Sequence, residues 1–487
     1  MENDMRHVPF ATTLTILLFG ILACERENPS RSAMTTSAGW KVQELKLGAF
    51  HWVDKAEPGN YQQQITKDGC HFAYVLQQGG EIVVGLDGKS TKRPGKTNNY
   101  GLVLSPDGSR VAYTESKDGK DIVFVDGKRG QQYDFVHALA FSPDSRRLAY
   151  AAHDGKKSFV VVDGKPGPQF ASVEGESITF SDDGKRLGYI AVEAEKRFVV
   201  VDGLQGPKFD NVRYLRFSPD GKHVAYAAEE NSGTPEWKSF IVLDGQIGTK
   251  HQGGNTNSPL FSPDSKRLAY ATGEKQTGFV VVDGQAGPEY QTPPSLIVFS
   301  PDSKRLAYVA NNYKPKMKCF LVLDGQAYAE YDLIGNPIFS PDSKRLAFTA
   351  NEKGEGNYGK NFVVVDGKPG QKFNQGPRQL TFSPDSKRVA YVTIVEDGGQ
   401  FTVFVDGQRV GKDFYETYNP TFSPNSRHVA CRAFDEAGEF FILIDGLPGP
   451  KHDLIIENGP RFRADGSLEY LAVKDSILYR VILTPPD

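Results

Sequence analysis

The chain has 487 residues, with 57 Lys plus Arg against 60 Asp plus Glu and a formal net charge of −3. Nucleic-acid-binding proteins usually carry a basic surface, so this balance argues against a nucleic-acid partner. The hydrophobic fraction of 39% is enough for a core, and the 50 Gly and 30 Pro fall at regular intervals, which is typical of turns.

Residues 1–23 are predicted to be a secretory signal peptide. Arg6 precedes an apolar stretch, 8–23, which is shorter than the roughly 20 residues of a membrane span. Residues 21–24, Ile-Leu-Ala-Cys, then resemble the lipobox of bacterial lipoproteins, which implies that Cys24 is lipidated. The alternative is an ordinary signal peptide cut near residue 23, which would leave a free thiol.

This reading places the protein outside the cytoplasm, in the periplasm or at the cell surface. Glu25 follows the cysteine where the resemblance gives Asp as the signal for retention at the inner membrane, so we expect anchoring at the outer membrane. Residues 24–45 are polar and are predicted to form a flexible tether. The propeller-like repeats described next are assigned to 46–487.

The rest of the chain is one unit of about 40 residues repeated eleven times. The string Phe-Ser-Pro-Asp-Ser-Lys-Arg-Leu-Ala-Tyr occurs at 261–270 and 299–308, and variants of it recur 37 to 44 residues apart. A second motif, Val-Asp-Gly or a close variant, follows in ten copies. Its aspartates are Asp87, Asp126, Asp163, Asp202, Asp244, Asp283, Asp324, Asp366, Asp406 and Asp445. Such a period indicates stacked supersecondary units.

Each copy is predicted to contain four strands, A to D. Strand A ends at the Phe before Ser-Pro-Asp, and the Pro and Asp favour a tight turn into strand B, Arg-Leu-Ala-Tyr. Strand C is apolar at successive positions, so both of its faces must be covered. Asp-Gly then favours a hairpin into strand D. Four-stranded units that cannot bury their own faces predict an all-β propeller.

The Ser-Pro-Asp-Gly/Ser-Lys-Arg-Leu-Ala-Tyr string resembles the WD40-like PD40 repeat of TolB-type propellers of bacterial envelopes. This resemblance covers about 66–480 and implies the propeller fold and an extracytoplasmic compartment. A role in the Tol–Pal system does not carry over, since no separate α/β domain precedes the repeats.

The number of rings is left open by the spacing. Propellers usually have four to eight blades, so eleven copies favour two packed rings, with one large ring as the alternative. The last copy has no strand D after 477–483, and residues 50–53 are predicted to supply one and close a ring through both termini.

Length variation indicates where binding would occur. The distance from each Asp-Gly to the next Ser-Pro-Asp is nearly constant, so the extra residues fall in the B–C loops of copies five, seven, eight and nine. Binding residues concentrate on variable loops over a rigid scaffold. The predicted contact residues combine aromatic rings and lysines: Trp237, Lys238, Tyr313, Lys316 and Tyr358. The alternative is that these insertions are merely tolerated.

No catalytic motif, metal-ligand spacing or cofactor fingerprint is found, so no catalytic residue, metal or cofactor is predicted. His137 and His153 could converge across a ring, although a single His is more often a structural or surface residue. The repeated Asp residues are attributed to turns and not to calcium. The cysteines of the repeats, Cys70, Cys319 and Cys431, occupy non-equivalent positions and form no disulfide framework.

The function favoured by the sequence is a non-catalytic, envelope-anchored propeller scaffold that binds a protein or glycan through its B–C loop face. The membrane would be reached through the lipid anchor only. The alternative is an extracytoplasmic propeller lyase or hydrolase with a site on the same face.

Overall fold

The computed structural model of the protein describes residues 34–49, 61–78, 80–97, 101–254, 256–274, 277–312, 318–352, 359–395, 399–456 and 459–486. In these residues no helix is present, and the strands form eleven separate antiparallel sheets. Each sheet has the order A-B-C-D, which confirms the all-β fold of eleven four-stranded units. We call the sheets blades 1 to 11 in chain order.

The inner two strands of each blade are A and B. The A strands are Tyr61–Ile65, Val103–Leu104 (with Lys96–Thr97), Phe135–Phe141, Ser172–Phe180, Asn211–Phe217, Leu260–Phe261, Ser295–Phe299, Ile338–Phe339 (with Leu333–Ile334), Arg378–Phe382, Glu416–Phe422 and Arg461–Phe462 (with Leu454–Ile455). The B strands are Phe72–Gln78, Val111–Lys117, Leu148–Asp154, Leu187–Glu193, Val224–Glu230, Leu268–Glu274, Leu306–Asn312, Leu346–Glu352, Val389–Ile394, Val429–Phe434 and Leu468–Lys474. Neighbouring A strands contact one another in several pairs of blades, so they lie nearest the ring axis.

The outer two strands are C and D. The C strands are Glu81–Leu86, Lys120–Val125, Lys157–Val162, Lys196–Val201, Lys238–Leu243, Thr277–Val282, Lys318–Leu323, Lys360–Val365, Phe401–Val405, Phe440–Ile444 and Ile477–Thr484. The D strands of blades 1 to 10 are Lys89–Pro94, Lys128–Tyr133, Lys165–Pro166, Leu204–Gln205, Gln246–Ile247 (with His251–Gln252), Gln285–Ala286, Gln326–Tyr331, Lys368–Pro369, Gln408–Phe414 and Leu447–Pro448.

The eleven blades form one ring. Eleven hydrophobic clusters occur in the described chain, and each joins one blade to the next. One of them packs Tyr74 and Val83 of blade 1 against Leu471 and Leu478 of blade 11, so the last blade meets the first. The expectation of two packed rings is therefore wrong, and the alternative of one large ring is correct. Because strands B and C are sandwiched between two blades, they are buried on both faces.

The ring is closed by a strand from the N-terminal part of the chain, as expected, but from an earlier segment. Lys41–Ala49 pairs antiparallel with Ile477–Thr484 and forms strand D of blade 11, with Met34–Thr35 added outside it. The strand expected at 50–53 lies outside the described residues. Since residues 34–49 contain two strands, the propeller region begins before the boundary at residue 46 that the sequence indicated.

A ring of aromatic side chains also joins the blades. At the end of strand D, or between it and the next strand A, an aromatic ring packs edge-on against strand C of the following blade. The ring centroids are 5.3 to 5.5 Å apart for Tyr133, Phe170, Phe209, His251, Tyr331 and Phe414. Such T-shaped pairs stabilise by about 0.5–1.5 kcal/mol beyond the area they bury. At these seams the aromatic pair helps to fix the position of one blade against the next.

Candidate functional site: the B–C loop face

The two faces of the ring differ in chemistry. The A–B turns of the blades and the C–D turns of blades 1 to 10 lie on one side, which we call the turn face. The described B–C loops and D–A linkers lie on the other side, which we call the loop face. Because the turns carry the repeated motifs, the turn face has nearly the same sequence in each blade. The differences between blades are concentrated on the loop face.

The turn-face motif folds each blade end through short side-chain hydrogen bonds, as blade 8 shows. The hydroxyl of Ser340 donates to Oδ1 of Asp342 at 2.6 Å, and the backbone N–H of Lys344 donates to the same oxygen at 3.1 Å. The Ser340 hydroxyl bond holds the pKa of the Asp342 carboxyl below its usual value. In the Asp-Gly turn, Asp366 has φ +52° and its Oδ1 accepts the N–H of Leu346 at 3.0 Å.

The arginine that follows this turn connects one blade to the next. In blade 8, Nε of Arg345 donates to Asp366 Oδ2 at 2.8 Å, and NH1 donates to the carbonyls of Ser386 and Lys387 in blade 9 at 3.1 and 2.6 Å. The guanidinium also lies over the Phe382 ring of blade 9, 5.4 Å from its centroid. We call this arrangement the arginine clasp.

The clasp recurs around the ring. In the described chain, arginines donate to carbonyls of the next blade at six seams; these residues are Arg110, Arg147, Arg186, Arg267, Arg345 and Arg388. At six of the described seams the turn serine of one blade also accepts the aspartate N–H of the preceding blade, as Ser386 does from Asp342 at 2.9 Å. The repeated aspartates lie in these turns, and their oxygens accept bonds within the motif. The repeated string therefore builds the turns and seams of the ring.

A cleft of about 390 Å³ lies on the turn face between blades 3 and 4. Its charged lining includes Arg147 and Asp202, both of which already take part in clasps. Both of these charged groups are therefore already engaged in ion pairs of the clasps, and the cleft is part of the seam between the two blades.

The loop face is uneven in the described residues. Blade 2 turns at Asp118–Gly119 and blade 4 at residues 194–195, whereas blade 5 uses residues 231–237. This longer loop is internally bonded: the N–H of Trp237 donates to the carbonyl of Thr234 at 3.1 Å, and Trp237 accepts from the Gly253 N–H at 2.9 Å. The loop is therefore an ordered projection of blade 5.

The predicted contact residues divide between this loop and regions outside the described residues. Trp237 is half-buried, and its indole Nε1 is buried without a hydrogen-bond partner in the described chain. Lys238 is also half-buried and opens strand C of blade 5. Tyr313, Lys316 and Tyr358, like Cys24, lie outside the described residues, so their roles stay predictions.

Apolar side chains that the sequence analysis did not single out lie exposed at the loop face. Phe135, Leu333 and Tyr415 are 41%, 54% and 54% exposed, and each lies where a D–A linker enters or meets strand A. The Tyr415 ring packs against the Phe434 ring, and their centroids are 5.2 Å apart. The signal of the three exposed residues in the sequence is positional, since each lies eight residues after the Asp-Gly glycine of the preceding blade.

Lysine–aspartate pairs bridge blades beside these apolar residues. Lys120 Nζ lies 2.9 Å from Asp134, and the other carboxylate oxygen of Asp134 accepts the Gly155 N–H of blade 3 at 2.6 Å. Lys318 and Asp332 repeat the contact at 3.3 Å. In the described residues these lysine–aspartate contacts occur at some seams and not at others, so they add to the differences between blades on this face.

His137 and His153 come together within one blade and not across the ring. They lie on strands A and B of blade 3, and their Nε2 atoms are 3.3 Å apart. Residues in separate strands of one hairpin have no fixed sequence spacing, so only strand register could have revealed this pair.

Three of the four buried carboxylates of the described residues, Glu115, Glu229 and Glu469, are paired with arginines, and the fourth, Asp121, accepts from the Ser116 hydroxyl and the Val136 N–H. Glu229, 6% exposed, bonds Arg213, and Glu469, 7% exposed, lies 2.7 Å from Arg463 Nε. In the described parts of the chain, no group of three or more His, Cys, Asp or Glu side chains is arranged to hold a metal ion. The three cysteines of the repeats are buried and free. Within the same residues no helix is long and apolar enough to cross a membrane.

No family model matches the chain, and no curated protein matches its sequence. Among solved structures, it is similar to a eukaryotic initiation factor (13% identity, TM-score 0.38, covering 67% of this chain and 91% of that chain). It is also similar to the β-propeller domain of the Trilobed protease from Pyrococcus furiosus (12% identity, TM-score 0.28, 56% and 96% covered). A third similar structure is TolB from Acinetobacter baumannii (16% identity, TM-score 0.24, 64% and 79% covered). At these values the likenesses add no argument about function. The β-propeller fold itself is confirmed by the eleven blades.

Proposed function

We propose that the protein is a non-catalytic extracytoplasmic propeller scaffold that binds a protein partner through its loop face and is held at the outer membrane by a lipid on Cys24. The observation that carries the proposal is the contrast between the two faces. On the turn face the same motif bonds to the backbone of the next blade at seam after seam, whereas the loop face differs from blade to blade in loop length and exposes Phe135, Leu333 and Tyr415. Exposure of apolar residues alone does not separate the two faces, since Leu204 and Leu447 of the turn face are exposed as well. Exposed apolar groups rimmed by charged pairs are typical of interaction surfaces.

The entry point of the chain supports the same orientation. Lys41 pairs with Thr484, which ends strand C of blade 11 at the turn face, and Ser37 Oγ donates to the Pro448 carbonyl of the neighbouring blade at 2.9 Å. With a lipid on Cys24, the ten residues from there to Met34 span at most about 33–36 Å. The turn-face side of blade 11 would then lie near the membrane, leaving the loop face accessible.

The alternative activity, an extracytoplasmic lyase or hydrolase, has no specific observation in its favour. Three of the four buried carboxylates named above are held in ion pairs with arginines, which suits a structural role. That alternative stays a prediction.

The test is a crosslinking pull-down from detergent-solubilised envelope. One variant replaces loop residues 231–237 by a two-residue turn like that of blade 4, and a second carries Leu333→Ser and Tyr415→Ser. The matched control carries Leu204→Ser and Leu447→Ser, which are exposed apolar residues of the turn face, 77% and 46% exposed. A partner that is retained by the wild type and the control but lost from both loop-face variants would support the proposal. Equal capture by all four proteins would contradict it, and a glycan retained in place of a protein would change the class of partner.

The anchor is tested separately by envelope fractionation of the wild type and of Cys24→Ser. We expect the wild type in the outer membrane fraction and the variant in the soluble periplasmic fraction. The same distribution for both would refute lipidation of Cys24 without affecting the partner proposal.

A further inference from the structure

The loop face carries a pair of histidines in blade 3. His137 lies on strand A and His153 near the end of strand B, and both are half-buried. Their rings stack with an interplanar angle of 26° and a centroid distance of 5.4 Å. Phe135 stacks on His137 at the same centroid distance, on the solvent side of the pair.

The nitrogen separation suits shared ligation. Nε2 of His137 and Nε2 of His153 are 3.3 Å apart. Two ligands bound at 2.0–2.1 Å to one tetrahedral ion are separated by about 3.3–3.4 Å, since zinc–imidazole bonds have that length. Nδ1 of His153 lies 2.8 Å from the Ser158 hydroxyl. When Nδ1–H donates this bond, Nε2 of His153 carries no proton and its lone pair is available to a metal.

The surrounding backbone positions the His137 ring. The A–B pairing of blade 3 has an irregularity between His137 and Ala140, and Ala138 there has φ +56°. Irregularities of this kind re-aim side chains. The ring packs against Gly175 of blade 4, where a Cβ would lie 2.4 Å from His137 ring atoms.

The positions of blade 5 that are equivalent to His137 and His153 hold a different pair of side chains. There Arg213 occupies the His137 position and contacts Glu229, which occupies the His153 position. That blade joins its two side chains by an ion pair, whereas in blade 3 the Nε2–H of one imidazole donates to Nε2 of the other. A metal ion bound by both nitrogens would displace that proton.

We propose that His137 and His153 form a binding site for a divalent first-row transition metal ion, of which Zn²⁺ is the probe we would use. Imidazole nitrogens suit Zn²⁺, Cu²⁺ and Ni²⁺ and are poor ligands for Ca²⁺ or Mg²⁺. The two nitrogens supply half of a tetrahedral set, and water completes it. The site goes beyond the scaffold function and does not depend on it.

The test is calorimetric titration of Zn²⁺ into the untagged, metal-stripped full-length protein. We expect one site in the wild type, weakened at least about tenfold in His137→Gln and in His153→Gln, since even residues that only support a ligand cost that much. His223→Gln is the matched control because His223 is a turn-face histidine bonded to Asp244 at 2.7 Å, and it should bind as the wild type does.

Circular dichroism melting of each variant without metal shows whether it is folded, and His153→Gln, in the more exposed part of the strand, is the second route if His137→Gln misfolds. Added Zn²⁺ should raise the melting temperature of the wild type and of His223→Gln but not of a folded His137 or His153 variant. The proposal is overturned if the wild type binds no Zn²⁺ at millimolar concentration. It is also overturned if a folded His153→Gln binds with unchanged affinity.

Discussion

The arginine clasp predicts that single arginines of the turn face stabilise individual seams of the ring. Arg147 is a suitable case: its Nε lies 3.3 Å from Asp163, its NH1 donates to the Lys185 carbonyl of blade 4 at 2.6 Å, and its guanidinium lies 5.4 Å from the Phe180 ring centroid. Arg146, the residue before it, is 86% exposed and lies 3.9 Å from its only described ionic partner, Asp144. The two arginines therefore share a turn and differ in their contacts.

The expected cost of Arg147→Ala follows from those contacts. The partly exposed ion pair is worth about 0.5 kcal/mol after solvent screening. The charge-assisted bond to the carbonyl adds about 1–1.5 kcal/mol, and the cation–π contact about 0.5–1 kcal/mol. The sum is about 2–3 kcal/mol at one seam, or roughly a 30- to 150-fold change in the local opening equilibrium. Arg146→Ala should cost no more than about 0.5 kcal/mol.

Native-state hydrogen exchange, read by mass spectrometry on peptides that cover residues 181–187 of blade 4, measures this local opening. Exchange there should accelerate in Arg147→Ala and stay near the wild-type rate in Arg146→Ala. Arg147→Lys should resemble Arg147→Ala, because an ammonium cannot donate to the aspartate and the carbonyl with the geometry of a guanidinium. Equal exchange in the two alanine variants would refute the clasp. Acceleration spread evenly over all blades would refute its local action.

Three further outcomes are expected. Trp40→Ala should cost about 3–5 kcal/mol in urea unfolding, because this ring is 1% exposed beside the closing strand, and Trp40→Phe should recover much of the loss; an unchanged midpoint would contradict this. The hydrogen bond from His452 to Glu44, 3.2 Å long, lowers the pKa of the Glu44 carboxyl. The wild type should therefore be more stable than Glu44→Gln above about pH 4.3, and it should lose this advantage as the pH falls through the lowered pKa. Urea midpoints at neutral and acidic pH check the sign, and a gap that does not shrink in acid would be inconsistent with it. Burial raises the pKa of the Cys431 thiol to about 12, so native protein should resist alkylation at this residue that proceeds readily in denaturant, as peptide mass spectrometry would show; rapid native labelling would disprove it.

The strands and turns of the blades could be predicted from the sequence because they are local. Ser-Pro-Asp fixes a turn through bonds between residues two to five apart, as between Ser340 and Asp342. Leu-Ala-Tyr predicts a strand buried on both faces, and Leu346–Glu352 is such a strand over most of its length. The count of eleven blades follows directly from counting these local units.

The single ring could not be predicted in the same way. Ring number depends on whether blade 11 meets blade 1, and that contact joins residues about 400 positions apart, such as Arg480 and the carbonyl of Cys70 at 3.1 Å. The repeated motifs do not determine the angle between neighbouring blades, because that angle results from side-chain packing at each seam. A signal for the seams does exist, since an aromatic residue recurs seven positions after the Asp-Gly aspartate in most copies, from Tyr133 after Asp126 onward.

The candidate site could be predicted only in part, for a related reason. Variation in loop length pointed to the loop face, which stays a prediction, whereas the exposed Phe135 and Leu333 lie in segments of constant length, where only their fixed distance from the preceding Asp-Gly marks them. The histidine pair depends on which residues lie opposite in an A–B hairpin with a register irregularity. Strand register there is a property of the folded blade.

The seams at which histidine replaces the clasp arginine show how the ring tolerates variation. At the seam of blades 5 and 6, His223 bonds its own blade's Asp244, and in the described chain no hydrogen bond from its ring reaches blade 6. A buried chain of hydroxyls crosses that seam instead: Ser239 Oγ lies 2.8 Å from Thr256 Oγ1, which lies 2.9 Å from Thr272 Oγ1.

All three hydroxyls are at most 2% exposed, so their bonds replace water contacts completely and loss of one would leave a buried group unpaired. The missing guanidinium contact on the turn face is thus offset by polar contacts within the seam. Because each blade touches only its two neighbours, such an exchange at one seam leaves the others unchanged. This independence explains how eleven blades with different seam chemistry close into one ring, and why the loop face can vary without disturbing it.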